Sequence, residues 1–163
     1  MAVAHLGLGM TTIGITVVQS ATLEIDRAVA PGETVKVGEY DFRFEGTKAV
    51  EGPNYSAVQG AVVVGKGGKD IVVLRPQKRT YWVQQNPMTE AAIDTSLLRD
   101  VYVSLGEELE GGAWTVRVYH KPLVDWIWGG AVFMALGGLL AVLDRRYRLA
   151  VRRRAESTVL AGA

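Results

Sequence analysis

Two long stretches free of acidic or basic charge, one at each end of the chain, limit what this sequence can become more than any other feature. From Met1 to Leu23 there is no acid, lysine or arginine, and the first acid is Glu24. A helix rises about 1.5 Å per residue, so about 20 such residues reach across the ~30 Å hydrocarbon core of a bilayer. The second stretch, Trp126 to Leu143, holds 18 uncharged residues between Asp125 and Asp144. That is the lower edge of spanning length, and Leu123 and Val124 extend it. Trp126 and Trp128 stand at its start and Tyr147 just beyond its end, where an apolar ring with a polar edge suits the headgroup level. A cleaved signal segment is the competing reading of the first stretch, with Gln19-Ser20-Ala21 near the cut. It requires a basic start that this sequence lacks.

The sequence therefore predicts a membrane protein in which two transmembrane α-helices flank a small, mainly antiparallel β domain, a sandwich or barrel. The expected divisions are a helix over residues 1–21, a β-rich domain over 22–121, a helix over 122–144 and a basic tail over 145–163. Arg145, Arg146, Arg148, Arg152, Arg153 and Arg154 crowd behind the second span. Arginines and lysines are retained on the cytoplasmic side, so both termini are expected there and the middle domain outside the cytoplasm. Those arginines would also suit anionic lipid headgroups.

Between the spans, Tyr40-Asp41-Phe42-Arg43-Phe44-Glu45 alternates aromatic and charged residues, the period of a half-buried strand. Tyr55 to Val64 and Ile71 to Leu74 read as a hairpin turned by Gly65-Lys66-Gly67-Gly68-Lys69. Arg79 to Gln84, Val101 to Leu105 and Trp114 to Tyr119 add strands, the last two joined through Gly111-Gly112, while Pro31-Gly32, Gly52-Pro53 and Asn86-Pro87 mark turns. In Met88 to Leu98, Glu90-Ala91-Ala92 favours a helical turn and Ile93-Asp94-Thr95 does not.

The composition excludes several functions. A net charge of +1 lacks the concentrated positive field that nucleic-acid binding requires. With no cysteine there is no disulfide, thiolate metal site, cysteine nucleophile or redox pair. No dinucleotide fingerprint, P-loop, nucleophile elbow or HExxH motif occurs. His5 is the unusual residue, an ionisable group inside an uncharged span. With Gly9, Thr12 and Thr16 it falls on one helical face, a small polar stripe suited to packing against another helix or a buried ligand. A neutral imidazole there is either an axial ligand for haem or another metal, or a wet interfacial group without a ligand. Ala131 and Ala135, then Gly137 and Ala141, give small-xxx-small spacing in the second span. His120 is expected to be an exposed strand-end residue. Arg99-Asp100 and Glu107-Glu108 are expected to be solvated charges at turns, with no carboxylate pair set for acid–base work.

Met88-Thr89-Glu90-Ala91-Ala92-Ile93-Asp94 leads into Leu98-Arg99-Asp100-Val101-Tyr102-Val103-Ser104-Leu105-Gly106-Glu107. Trp114-Thr115-Val116-Arg117-Val118-Tyr119-His120-Lys121-Pro122, Trp126-Ile127-Trp128 and Met134-Ala135-Leu136-Gly137-Gly138-Leu139-Leu140 follow, closing with Asp144-Arg145-Arg146-Tyr147-Arg148. In this order and spacing they resemble the C-terminal part of the CcmF family, the haem lyase subunit of bacterial cytochrome c maturation, whose relatives serve nitrite-reductase assembly. The resemblance implies a component of the machinery that attaches haem to apocytochrome c at the outer side of the bacterial cytoplasmic (inner) membrane, with the central domain periplasmic. Its implied partners are the haem chaperone CcmE, the subunits CcmH and CcmI, apocytochrome c, membrane lipid and the remaining helices of CcmF. It also implies a structural haem b, for which Ala4-His5-Leu6-Gly7 resembles the segment carrying one transmembrane axial ligand, so His5 would bind the haem iron. The family's tryptophan-rich segment, its outer histidines and the opposing haem b ligand lie upstream of anything in this sequence. The chain alone is therefore expected neither to bind haem tightly nor to catalyse attachment, whether it is a fragment or a separately encoded part. The alternative is a membrane-anchored protein-binding module with no cofactor.

Overall fold

The computed structural model describes residues Ala2–Leu143, so Asp144, Tyr147 and the arginine-rich tail lie outside the described residues. The chain divides into two compact units, residues 17–124 and the remainder.

Unit one is a helix pair. Helix α1 runs Ala2–Ala21 and helix α2 Val124–Leu143, each 20 residues and free of lysine and arginine. Both are long and apolar enough to cross a membrane. They meet along small residues. A β-carbon at Gly7 would stand 2.6 Å from the Gly130 carbonyl oxygen and from the Met134 nitrogen, and one at Gly137 would stand 2.5 Å from the Ala4 nitrogen. Thr11 Oγ1 donates to the Ile127 carbonyl at 3.3 Å across the seam. The seam thus runs through Ala4, Gly7 and Thr11 on α1, and through Ile127, Gly130, Met134 and Gly137 on α2. Ala131 and Ala135 are exposed, whereas Gly137 meets α1.

Close backbone approach of this kind depends on the missing side chain. Gly7→Leu should therefore force the helices apart. The cysteine-free sequence allows nitroxides at Leu8→Cys and Leu136→Cys, whose dipolar distance distribution should lengthen and broaden in Gly7→Leu. An unchanged distribution would contradict the seam.

Unit two is a β-sandwich of ten strands: β1 Leu23–Val29, β2 Thr34–Val37, β3 Tyr40–Glu51, β4 Tyr55–Lys66, β5 Lys69–Leu74, β6 Gln77–Tyr81, β7 Pro87–Glu90, β8 Ala92–Ser96, β9 Arg99–Glu108 and β10 Trp114–Pro122. All pairings are antiparallel. One sheet has the order β1-β10-β9-β8, the other β2-β3-β4-β6-β7 with β5 also on β4. The turn after β4 is tight because Gly67 and Gly68 take φ of 58° and 77°, a conformation that costs glycine little. Val29, Val35, Val37, Phe42, Phe44, Val62, Val64, Val101, Val103, Leu105, Trp114, Val116 and Val118 from both sheets fill the core.

The aromatic residues of the alternating segment, Tyr40, Phe42 and Phe44, point inward as the period required. Met88 to Leu98 holds no helical turn. It is two edge strands, β7 on one sheet and β8 on the other, with the chain crossing between sheets at Ala91. The strand read as Arg79 to Gln84 lies at Gln77–Tyr81.

Candidate functional site

His5 sits on α1 beside the α1–α2 seam, and it, Gly9, Thr12 and Thr16 are all exposed. The stripe read from the sequence is therefore real but does not serve the pairing with α2. Thr12 Oγ1 donates to the Leu8 carbonyl at 2.9 Å and Thr16 Oγ1 to the Thr12 carbonyl at 2.8 Å, which keeps the hydroxyls within the helix. Beside the stripe, Ala4, His5, Leu8 and Met134 line an open groove of about 270 Å³. Its only polar side chain is the imidazole. No group of three or more histidine, aspartate or glutamate side chains could hold a metal ion among the described residues.

The β unit carries a second cluster that the sequence did not disclose. His120, on β10, stacks on Tyr40 of the other sheet, with ring centroids 5.4 Å apart. Its Nδ1 is buried with no hydrogen-bond partner. Arg99 donates through Nε to the Tyr40 hydroxyl at 3.2 Å, and through Nη1 to the Asp94 carbonyl at 3.0 Å and to the Asp94 carboxylate. Lys66 lies over the Tyr40 ring at 5.2 Å and pairs with Glu39 at 2.7 Å. His120 is thus half-buried and stacked rather than an exposed strand end, and Arg99 is a packed partner rather than a solvated turn charge. The physical reason is a contact between residues 40, 99 and 120 that only the sandwich creates. Glu107 keeps its solvated character in a pair with Lys78 at 2.7 Å.

Burial, then the nearby Arg99 charge, pushes the His120 imidazole below its usual value of 6.5. A histidine with a depressed folded pKa is neutral in the native state and protonates more readily when unfolded, so it costs stability as the pH falls below 6.5. Glu39 is held below 4.5 by its hydrogen bond from Lys66, and its own window opens only at lower pH. Thermal denaturation at pH 7 and at about 5.5 should therefore show a loss on acidification. His120→Phe, which keeps a ring on Tyr40, should reduce that loss; an equal loss in the variant would contradict the assignment.

A cleft of about 400 Å³ lies over the four-stranded sheet among Asp26, Thr89, Tyr102, Ser104, Glu107 and Arg117. Asp26 is engaged by Arg117, and Tyr119 donates to Glu24 at 2.6 Å.

Two apolar helices flanking an antiparallel sandwich define a membrane-anchored β-sandwich protein. The chain belongs to the CcmF family: the family model described as CcmF C-terminal beta-sandwich matches residues 20–122. The cytochrome c-type biogenesis protein CcmF of Pseudomonas aeruginosa is 50% identical over 163 residues, covering 99% of this chain and 25% of that protein. That of Escherichia coli is 48% identical over 148 residues, covering 91% of this chain and 23% of that protein. NrfE of Haemophilus influenzae, also a cytochrome c-type biogenesis protein, is 33% identical over 146 residues, covering 90% and 23%. The solved structure of a protein described as cytochrome c heme lyase CcmF superposes with a TM-score of 0.72 at 22% identity, over 87% of this chain and 24% of that one, a likeness of fold. The chain thus spans about a quarter of the length of the relatives it matches. Family membership and the two apolar helices support a location in a membrane.

Proposed function

We propose that the chain acts as part of a cytochrome c haem lyase, in which His5 is one axial ligand of a haem b held within the membrane and the β-sandwich is a docking surface on the periplasmic side. The observation that carries this reading is the exposed position of His5 at the rim of an apolar groove. An imidazole facing acyl chains is costly, so an exposed histidine on a spanning helix calls for covering protein or a ligand. The residues present suit a haem edge: Ala4, Leu8 and Met134 offer apolar contact and His5 an imidazole nitrogen. They line one side only, so the remaining helices of a CcmF-family protein would supply the opposite wall and the second ligand. The haem would supply an iron centre, while this chain holds the imidazole in place on a helix fixed by its glycine seam. The arginines behind α2 support cytoplasmic termini in the inner membrane and a periplasmic sandwich. On that side the sandwich would meet the proposed partners, the haem chaperone CcmE, CcmH and CcmI, and apocytochrome c.

The docking role has its own test. In cells where this chain completes a CcmF-family lyase, removal of residues 22–121 should abolish cytochrome c maturation while the two helices still reach the membrane. Maturation at the parental level would remove the docking role.

A further inference from the structure

The strand registers bring several distant turns to one end of the sandwich. Strand β1 starts at Leu23 opposite His120, and β10 ends at Pro122 opposite Arg99, so the chain enters from α1 and leaves towards α2 at the same end. The β8–β9 turn, Leu97-Leu98, is at that end too, because Ser96 pairs with Arg99 and the Leu123 nitrogen donates to the Leu98 carbonyl at 3.0 Å. The second sheet brings the β2–β3 turn there, where a β-carbon at Gly38 would lie 3.1 Å from Leu23 Cδ1, and the β4–β5 turn, through the Tyr40–Lys66 pairing.

Leu97 and Leu98 are 74% and 67% exposed on a two-residue turn. Two adjacent leucines at a loop tip form a small exposed apolar patch. Here the backbone is tied to Leu123, one residue ahead of the apolar helix α2. At the same end lie Lys66, Lys69 and Lys121, long amphipathic side chains of the kind that keep a charged tip at the headgroup level. The acids Glu39 and Asp94 at this end are engaged by Lys66 and Arg99.

We propose that the β8–β9 turn is a membrane-surface anchor, with Leu97 and Leu98 entering the boundary between headgroups and acyl chains of the bilayer that the two helices cross. The inference rests on α1 and α2 spanning a membrane. The covering partner is lipid, since the turn is hydrogen-bonded to the last residue before a span. At about 3.3 Å per residue, the 12-residue strand β4 puts the opposite end of the sandwich roughly 36 Å away. There the β6–β7 loop carries Val83, 95% exposed, as an internal control.

The absence of cysteine makes single labels clean. The whole chain, reconstituted into phosphatidylethanolamine–phosphatidylglycerol vesicles, would carry a nitroxide at Leu97→Cys, Leu98→Cys, Val83→Cys or Leu136→Cys. Collision rates with oxygen and with a water-soluble nickel chelate are then compared. The oxygen-to-nickel ratio at Leu97 or Leu98 should exceed that at Val83 by several-fold, while Leu136 on α2 shows a higher ratio still. Leu97 and Leu98 labels as water-accessible as Val83, with Leu136 in lipid, would overturn the anchor and leave the spans intact. Labels at the turn shielded from both reagents would mark a protein occupant and also overturn it. A Leu136 label as aqueous as Val83 would overturn the membrane reading and the anchor together.

Discussion

Phe44→Ala is expected to remove about 3–5 kcal/mol of stability from the β-sandwich. The ring is 1% exposed, in the strand that pairs with both β2 and β4. Truncation loses the transfer free energy of the ring and leaves a cavity that the neighbouring Val62, Leu105 and Val118, locked in two paired sheets, cannot fill without breaking their registers. Domains of this size have about 5–15 kcal/mol of net stability, so the variant should lose a large part of it. Urea denaturation of the whole chain in detergent, followed through the buried Trp114, reports on the sandwich. A midpoint shifted far to lower urea at unchanged slope is the expected result, and Val83→Ala, at an exposed loop, should leave the midpoint in place. A Phe44→Ala loss below about 1 kcal/mol would mean that the core is not closed around this ring.

Much of this architecture is visible in the sequence because it rests on local patterns. The spans show as the absence of acid and base over a membrane's thickness. Strands β3, β4, β5, β9 and β10 show through alternation, apolar runs and glycine turns. The edge strands β7 and β8 do not, since each is four or five residues long and their junction carries Glu90-Ala91-Ala92, a helix-favouring run. Their pairing with β6 and β9 overrides that local preference. Strands β1 and β2 alternate over only four residues each, Leu23-Glu24-Ile25-Asp26 and Thr34-Val35-Lys36-Val37, too short a run to mark a strand by itself, and only the Pro31-Gly32 turn between them is marked.

The candidate site divides in the same way. His5 stands out because an ionisable residue in an apolar span is rare, and its helical face follows from the 3.6-residue period. Which face meets α2 does not follow, because the seam is set by the opposite helix. The glycines that pack at positions 130 and 137 are seven apart rather than four. The stack of Tyr40 on His120 and the bond from Arg99 join residues up to 80 positions apart, and no spacing rule reaches that far.

Absorption spectroscopy decides whether this chain contributes a haem ligand to a larger lyase. The chain is co-expressed with the remaining helices of a CcmF-family protein, and the complex is purified and reduced. A b-type haem spectrum is expected with His5 present. In His5→Ala it should be lost or greatly weakened, at equal protein levels, and added imidazole should restore part of it. A b-type spectrum unchanged in His5→Ala would contradict the claim, leaving α1 as an anchor for the sandwich and nothing more.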